Sequence, residues 1–274
     1  MSTREKFEIP GRVAIVTGAS GLLGQQHTKA IAEFGGQPVL VDVDEKGLNQ
    51  LAEEVLNIYG INSEIHHCDI TSTEELINVR DNLVTKFGRI DILINNAAVD
   101  TKMADTMPTE NRLESFPVKT WEHELSVGLT GAMLCSQIFG PVMVSAGKGV
   151  ILNISSDLGL IAPDQRLYEE SSLPTNKQRV KPVTYSIVKH GIHGLTRYLA
   201  SYWGDQGIRT NTISLGGVYV NQPEHFVKKL ERLIILGRMA DPEEYRAAII
   251  FLVSDASEYM IGSNLVIDGG RTVW

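Results

Sequence analysis

Cysteine is scarce: the 274-residue chain holds two, Cys68 and Cys135. That is too few for a disulfide framework, and both lie in segments that read as buried, which points to a reducing compartment. Positive charge is in deficit, with 25 Lys and Arg against 33 Asp and Glu and a net charge of −8, so no nucleic-acid surface is expected. No uninterrupted apolar run reaches the roughly 18 residues of a membrane span, and no membrane association is expected. The opening residues Met1 to Lys6 are polar and lack a signal-peptide core, which gives cytoplasmic as the expected location. Metal ligands are also sparse. His66, His67, Cys68 and Asp69 are consecutive on a strand pattern, so their side chains alternate between faces and cannot all converge, and no metal is expected. Asn153-Ile-Ser155 matches a glycosylation acceptor but sits on an interior strand pattern, where the match is accidental.

What the chain does have is 43% hydrophobic residues, enough for one large α/β domain spanning 1–274. Short β-branched runs alternate with helical periodicity. Strands are predicted near 13–17, 37–42, 63–68, 91–95, 149–154, 208–214 and 264–267. Helices are predicted at about 22–35, 45–58, 73–88, 118–146, 183–206 and 241–254. This alternation implies a doubly wound, Rossmann-like parallel sheet of about seven strands with helices on both faces. Ligands bind beyond the carboxyl ends of such strands, at the point where strand order reverses.

Two motifs carry chemistry. The first is Val13-Ala-Ile-Val-Thr17, a buried strand, running into Gly18-Ala-Ser-Gly21-Leu-Leu-Gly24 and then a helix. Strand, glycine turn and helix is the context of a dinucleotide fingerprint: the glycines admit the pyrophosphate and the helix N-terminus stabilises its charge. Asp42 closes the next strand. A carboxylate there hydrogen-bonds ribose hydroxyls and repels a 2′-phosphate, and no Lys or Arg stands beside it, so NAD is expected rather than NADP. The second motif is Tyr185-Ser-Ile-Val-Lys189. Four residues apart on a helix, the two side chains share a face. An ammonium one turn from a phenol favours the phenolate, lowering a pKa that is ordinarily about 10 and making the pair an acid/base for a substrate oxygen.

Together these residues resemble the short-chain dehydrogenase/reductase family along nearly the whole chain. Cys68-Asp69-Ile70, Asn95-Asn96-Ala97-Ala98, Asn153-Ile-Ser155-Ser156, Leu236-Gly-Arg-Met239 and Asp268-Gly-Gly270 match further family segments in order. The resemblance implies Ser156, Tyr185 and Lys189 as catalytic residues, with Ser155 the alternate serine. It implies cofactor contacts at Gly18, Ser20, Gly21, Leu22, Leu23, Gly24, Asp42, Val43, Asp69, Ile70, Asn96, Ala97, Ala98, Gly216 and Val218, as well as Tyr185 and Lys189. It also implies a homodimer or homotetramer built through the helices near 118–146 and 183–206 and the C-terminal stretch. The activity implied is hydride transfer between NAD and a secondary alcohol or ketone. An NAD-binding regulator with little catalysis is the alternative, motivated by Gly128 and Leu215.

Departures from the family pattern are informative. Leu22 stands where the middle glycine usually does, with Gly21 one earlier. Gly128 replaces the asparagine of a Val-Asn-Leu-Thr-Gly segment, so a proton relay needs another water path. Leu215 replaces a proline. The interval from Ser156 to Tyr185 is unusually long and holds a polar, Pro-bounded insertion near 163–182. Such long loops are functional or disordered, and this one must emerge beside the reacting centre. Arg166, Lys177, Arg179 and Lys181 on it are candidates for a substrate phosphate or carboxylate. Tyr219 and a short helix within 218–238 are expected to cover the substrate. Lys102 and Arg112 lie on a second polar loop, 100–117, and read as solvated. The stretch from Pro163 onward also resembles a subset encoded with bacterial surface-sugar or flagellin-glycan pathways, which implies a sugar phosphate or nucleotide sugar as substrate.

Overall fold

The computed structural model describes residues 1–99, 111–170 and 172–274. Most of loop 100–117, including Lys102, lies outside the described residues. Seven strands form one parallel sheet: β1 (Val13–Thr17), β2 (Gln37–Asp42), β3 (Glu64–His67), β4 (Ile92–Asn95), β5 (Gly149–Ser156), β6 (Ile208–Leu215) and β7 (Asn264–Ile267). Their order is β3-β2-β1-β4-β5-β6-β7. Strand order therefore reverses between β1 and β4, and the crevice at that switch point is where a ligand is held.

The helices are α1 (Leu22–Glu33), α2 (Glu45–Tyr59), α3 (Thr73–Phe87), α4 (Val118–Leu125), α5 (Ala132–Ala146), α6 (Val183–Trp203), α7 (Glu224–Glu231) and α8 (Arg246–Val253). Both faces of the sheet are covered, so β1, β4 and β5 are buried at every position and feed two cores. On β1, Ala14 and Val16 join Leu48, Ile249 and Leu252 on the side of α1, α2 and α8. Val13 and Ile15 join Leu76, Phe139 and Trp203 on the side of α3, α5 and α6. The side-chain period of two thus divides each strand between the cores. Truncating a ring as deep as Phe139 would cost about 3–5 kcal/mol.

The expected strands stand within two residues of their predicted ends. The single helix expected over 118–146 is instead α4 and α5 joined by a π-helical segment, Ser126–Gly131. Two backbone approaches explain it. A Cβ at Gly128 would stand 2.6 Å from Val188 Cγ1, and one at Gly131 would stand 2.5 Å from Ile70 Cδ1. A widened turn lets the same stretch meet α6 and the segment after β3. The run Val118–Ala146 is long and apolar enough to cross a bilayer by length and composition, and half of its most apolar window is buried inside the domain. The 163–182 insertion, expected to lack regular structure, contains two short 3-10 turns, Gln165–Tyr168 and Thr175–Lys177.

His27, on the inner face of α1, is fully buried, and burial holds its imidazole pKa down at about 3 against an ordinary 6.5. The unfolded chain therefore binds a proton there that the folded chain refuses, and stability falls as pH drops from about 6.5 toward 3. Urea unfolding at pH 7 and pH 5 should show His27→Leu losing less stability on acidification than the parent. Equal losses would show that His27 carries no part of the acid sensitivity.

Candidate active site

The first half of the site is a cradle at the β1–α1 turn. Gly18 adopts φ +62°, a conformation open to glycine, and a Cβ there would lie 2.8 Å from Ala97 Cα. At Gly24 an added Cβ would collide with Gly18 O, so α1 can begin this close to β1 only with glycine. Gly21 caps α1 without any side-chain hydrogen bond to the first turn. The first amide groups of α1, from Leu22 and Leu23, thus form an N-terminus suited to an anion. Asn96 ties the end of β4 to this turn: its Nδ2 donates to Thr17 O and Gly18 O at 3.0 Å each, and its backbone N donates to Thr17 Oγ1 at 3.1 Å. Ala97 and Ala98 follow directly.

Asp42 ends β2 beside the same turn. Its Oδ2 accepts from Ser20 N and Ser20 Oγ at 2.9 and 2.6 Å, and its Oδ1 accepts from Val43 N and Asp44 N at 2.7 and 3.1 Å. Four donors fix the carboxylate in place, and among the described residues no cation pairs with it. Asp69, after β3, accepts from Thr71 N and Thr71 Oγ1 at 2.8 Å each, while Ile70 beside it is buried. Glycine turn, uncapped helix end and oriented carboxylate fit a dinucleotide, and the residues above are those that would hold it.

The second half lies where β5 ends. Period two separates the serines. Ser155 Oγ faces α6, donating to Lys189 O at 2.9 Å and lying 3.2 Å from His193 Nε2. Ser156 Oγ donates to Asp157 Oδ1 at 2.7 Å and accepts from Leu158 N at 3.2 Å. Burial raises the Asp157 carboxyl pKa, opposed by those hydrogen bonds. On α6, Lys189 is buried and its Nζ donates to Ile154 O at 3.0 Å, 5.9 Å from the centre of the Tyr185 ring. Tyr185 and Lys189 share a small pocket with Ala98, which places them beside the cradle.

Sequence reasoning gave Lys181 another role and passed over three further residues. Lys181, read as an anion ligand, stands with its Nζ 3.9 Å over the Tyr185 ring; its position one turn before Tyr185 was the available signal. Asp157 was passed over although it follows Ser156. Glu124 and Thr184, which hydrogen-bond each other across α4 and α6, gave no local signal.

The insertion and the 218–238 segment pack together as one unit. Leu167 packs with Leu230, Ile234 and Met239, Tyr168 lies 5.6 Å from the Phe226 ring, and Lys229 Nζ donates to Arg166 O and Glu169 O. Arg166 itself is bound to Asp164 through two hydrogen bonds of 2.9 and 2.7 Å. Val218 pairs with Ala240, and Tyr219 N donates to Ala240 O, leaving the Tyr219 ring half exposed. Gly216 packs against Asp268.

A family model described as enoyl-(acyl carrier protein) reductase matches residues 18–272. The chain is a short-chain dehydrogenase/reductase. It is similar to D-threitol dehydrogenase of Mycolicibacterium smegmatis, 34% identical over 97% of this chain and 95% of that one. Among solved structures it is similar to a gluconate 5-dehydrogenase of Burkholderia cenocepacia in complex with NADP and tartrate, with TM-score 0.85, 25% identity and full coverage of both chains (100% each). It is also similar to an NAD+-bound xylitol dehydrogenase, with TM-score 0.82, 25% identity and coverage of 95% of this chain and 99% of that one. The enzyme is an oxidoreductase acting on CH–OH groups of secondary alcohols, with a nicotinamide cofactor.

The glycine turn predicts its own test. Gly24→Ala forces α1 away from Gly18 O, so NADH affinity, followed by fluorescence titration, should fall about tenfold or more, roughly 1.4 kcal/mol, in a chain with parental circular dichroism. Parental affinity would show that the turn is not the cofactor cradle.

Proposed function

We propose that the enzyme interconverts a secondary hydroxyl and a ketone on an open-chain polyol or polyhydroxy acid, with NAD as its cofactor. The observation that carries this reading is the Tyr185–Lys189 pair on one turn of α6, beside the cradle and next to the end of β5. Bound NAD supplies the hydride acceptor. The remaining chemistry belongs to the chain. Tyr185 takes the hydroxyl proton as the hydride leaves the substrate carbon. Lys189, held by Ile154 O, keeps positive charge near the phenolate. Ser156 Oγ turns its proton from Asp157 Oδ1 to the substrate oxygen, which leaves that oxygen's own proton for Tyr185. The covering unit of 163–182 and 218–238 excludes water from the reacting atoms.

Polyols are favoured because the D-threitol, xylitol and gluconate enzymes named above all handle chains of adjacent hydroxyls. Two of the insertion's cations considered for a phosphate are already engaged, Arg166 with Asp164 and Arg179 with Glu170. NAD over NADP rests on Asp42, whose fixed negative charge opposes a 2′-phosphate. The stacked Tyr198 and Tyr202, 63% and 56% exposed on the outer side of α6, support assembly into a homodimer or homotetramer.

Assays of D-threitol, xylitol, gluconate and phosphorylated sugars with NAD and NADP in parallel test this reading. NADH should form with at least one unphosphorylated polyol, with kcat/KM about tenfold or more above that for NADP. A preference for NADP, or turnover confined to phosphorylated sugars, would contradict it. Tyr185→Phe should bind NADH like the parent and lose about 100-fold or more in kcat; parental kcat would remove Tyr185 from the chemistry.

A further inference from the structure

Glu124 is a buried carboxylate without a role in the chemistry above. It is 6% exposed and lies on α4, one turn before Gly128. Helical side chains lean toward the N-terminus, so positions 124 and 128 address the same neighbour. That neighbour is α6. Thr184 Oγ1 donates to Glu124 Oε2, and one turn on, the bare Cα of Gly128 packs on Val188. The helices meet in these two rungs, and Tyr185 and Lys189 each follow a rung residue in sequence. Between them is a small cavity lined by Glu124, Gly128, Tyr185 and Lys189, with Ala98 and Val99 from the end of β4. The centre of a water-sized sphere can move over about 10 Å³ there, which is room for one water.

We propose that Glu124 is a positioning residue that carries the reaction proton between the Tyr185–Lys189 pair and solvent through a water in this cavity. The proposal rests on the assignment of Tyr185 and Lys189 as the reacting pair. After the Tyr185 phenolate has taken the alcohol proton, it must lose it before another turnover. The proton passes to the cavity water as a proton of that water passes to Glu124. Tyr185 regains its negative charge, Glu124 becomes neutral, and no bond to carbon changes. Glu124 then gives the proton up past the exposed flank of α4 at Glu122 and His123. Among the described residues, the titratable groups facing the cavity are Glu124 from α4 and Tyr185 and Lys189 from α6; Ala98 and Val99 do not titrate. Lys181 stands over the Tyr185 ring.

Tyrosinate absorbance, taken as the difference between the parent and Tyr185→Phe, gives the Tyr185 titration midpoint without any substrate. Glu124→Gln keeps the shape and an acceptor for Thr184 but removes the negative charge. The midpoint should then fall by about one unit, and kcat for alcohol oxidation should fall about tenfold or more with KM nearly unchanged. Glu124→Asp, which keeps the charge, should return the midpoint toward the parent. A parental midpoint in Glu124→Gln, a lowered midpoint with parental kcat, or a Glu124→Gln chain that does not fold would each overturn the proposal. Failure of the underlying assignment is read separately, as retained turnover in Tyr185→Phe.

Discussion

The site depends on the bond between β5 and α6. Lys189 Nζ donates to Ile154 O, and Ser155 Oγ donates back to Lys189 O, at 3.0 and 2.9 Å. A buried ammonium needs such partners, because leaving it unpaired inside the fold costs several kcal/mol. The reciprocal pair locks the helix to the strand in one register. Once Ser155 is turned inward to α6, the period of the strand turns Ser156 the other way at the carboxyl end of β5. Tyr185 is then placed by its one-turn spacing from Lys189. One strand–helix contact thereby sets the mutual geometry of Ser156, Tyr185 and Lys189.

The cradle is built by the same logic at the other side of the switch point. Asn96 carries both ends of the crossing, bonding the β4 terminus to Thr17 and Gly18. Asp42 is oriented by backbone and hydroxyl donors, and among the described residues no cation pairs with it. The cradle lies at the ends of β1, β2 and β4, Ser156 lies at the end of the neighbouring β5, and Tyr185 and Lys189 are carried by α6.

Much of this was legible in the sequence. Strands such as Val13–Thr17 and Gly149–Ser156 are buried on both faces, so their first residues read as short apolar runs rich in Val and Ile. The glycine turn, Asp42, and the Tyr185–Lys189 spacing are local patterns, and locality is what a sequence displays. What escaped is tertiary. Glu124 on α4 reads as a solvated acid until α6 is laid against it. The π-helical segment follows from two backbone approaches, to Val188 and Ile70, that no local preference encodes. Lys181 and Arg166 look alike in a polar insertion, and packing alone sends one onto the Tyr185 ring and the other onto Asp164. The insertion's order comes from Leu167 and Tyr168 meeting Leu230 and Phe226, a contact between segments some sixty residues apart.

The most direct measurement is a crystal structure of the enzyme with NADH and a polyol such as D-threitol. The account predicts the pyrophosphate at the amide groups of Leu22 and Leu23, adenosine ribose hydroxyls on Asp42, and one substrate oxygen within hydrogen-bond reach of both Ser156 and Tyr185. A dinucleotide seated away from the β1–β4 switch point, or a substrate oxygen out of reach of Tyr185, would contradict it.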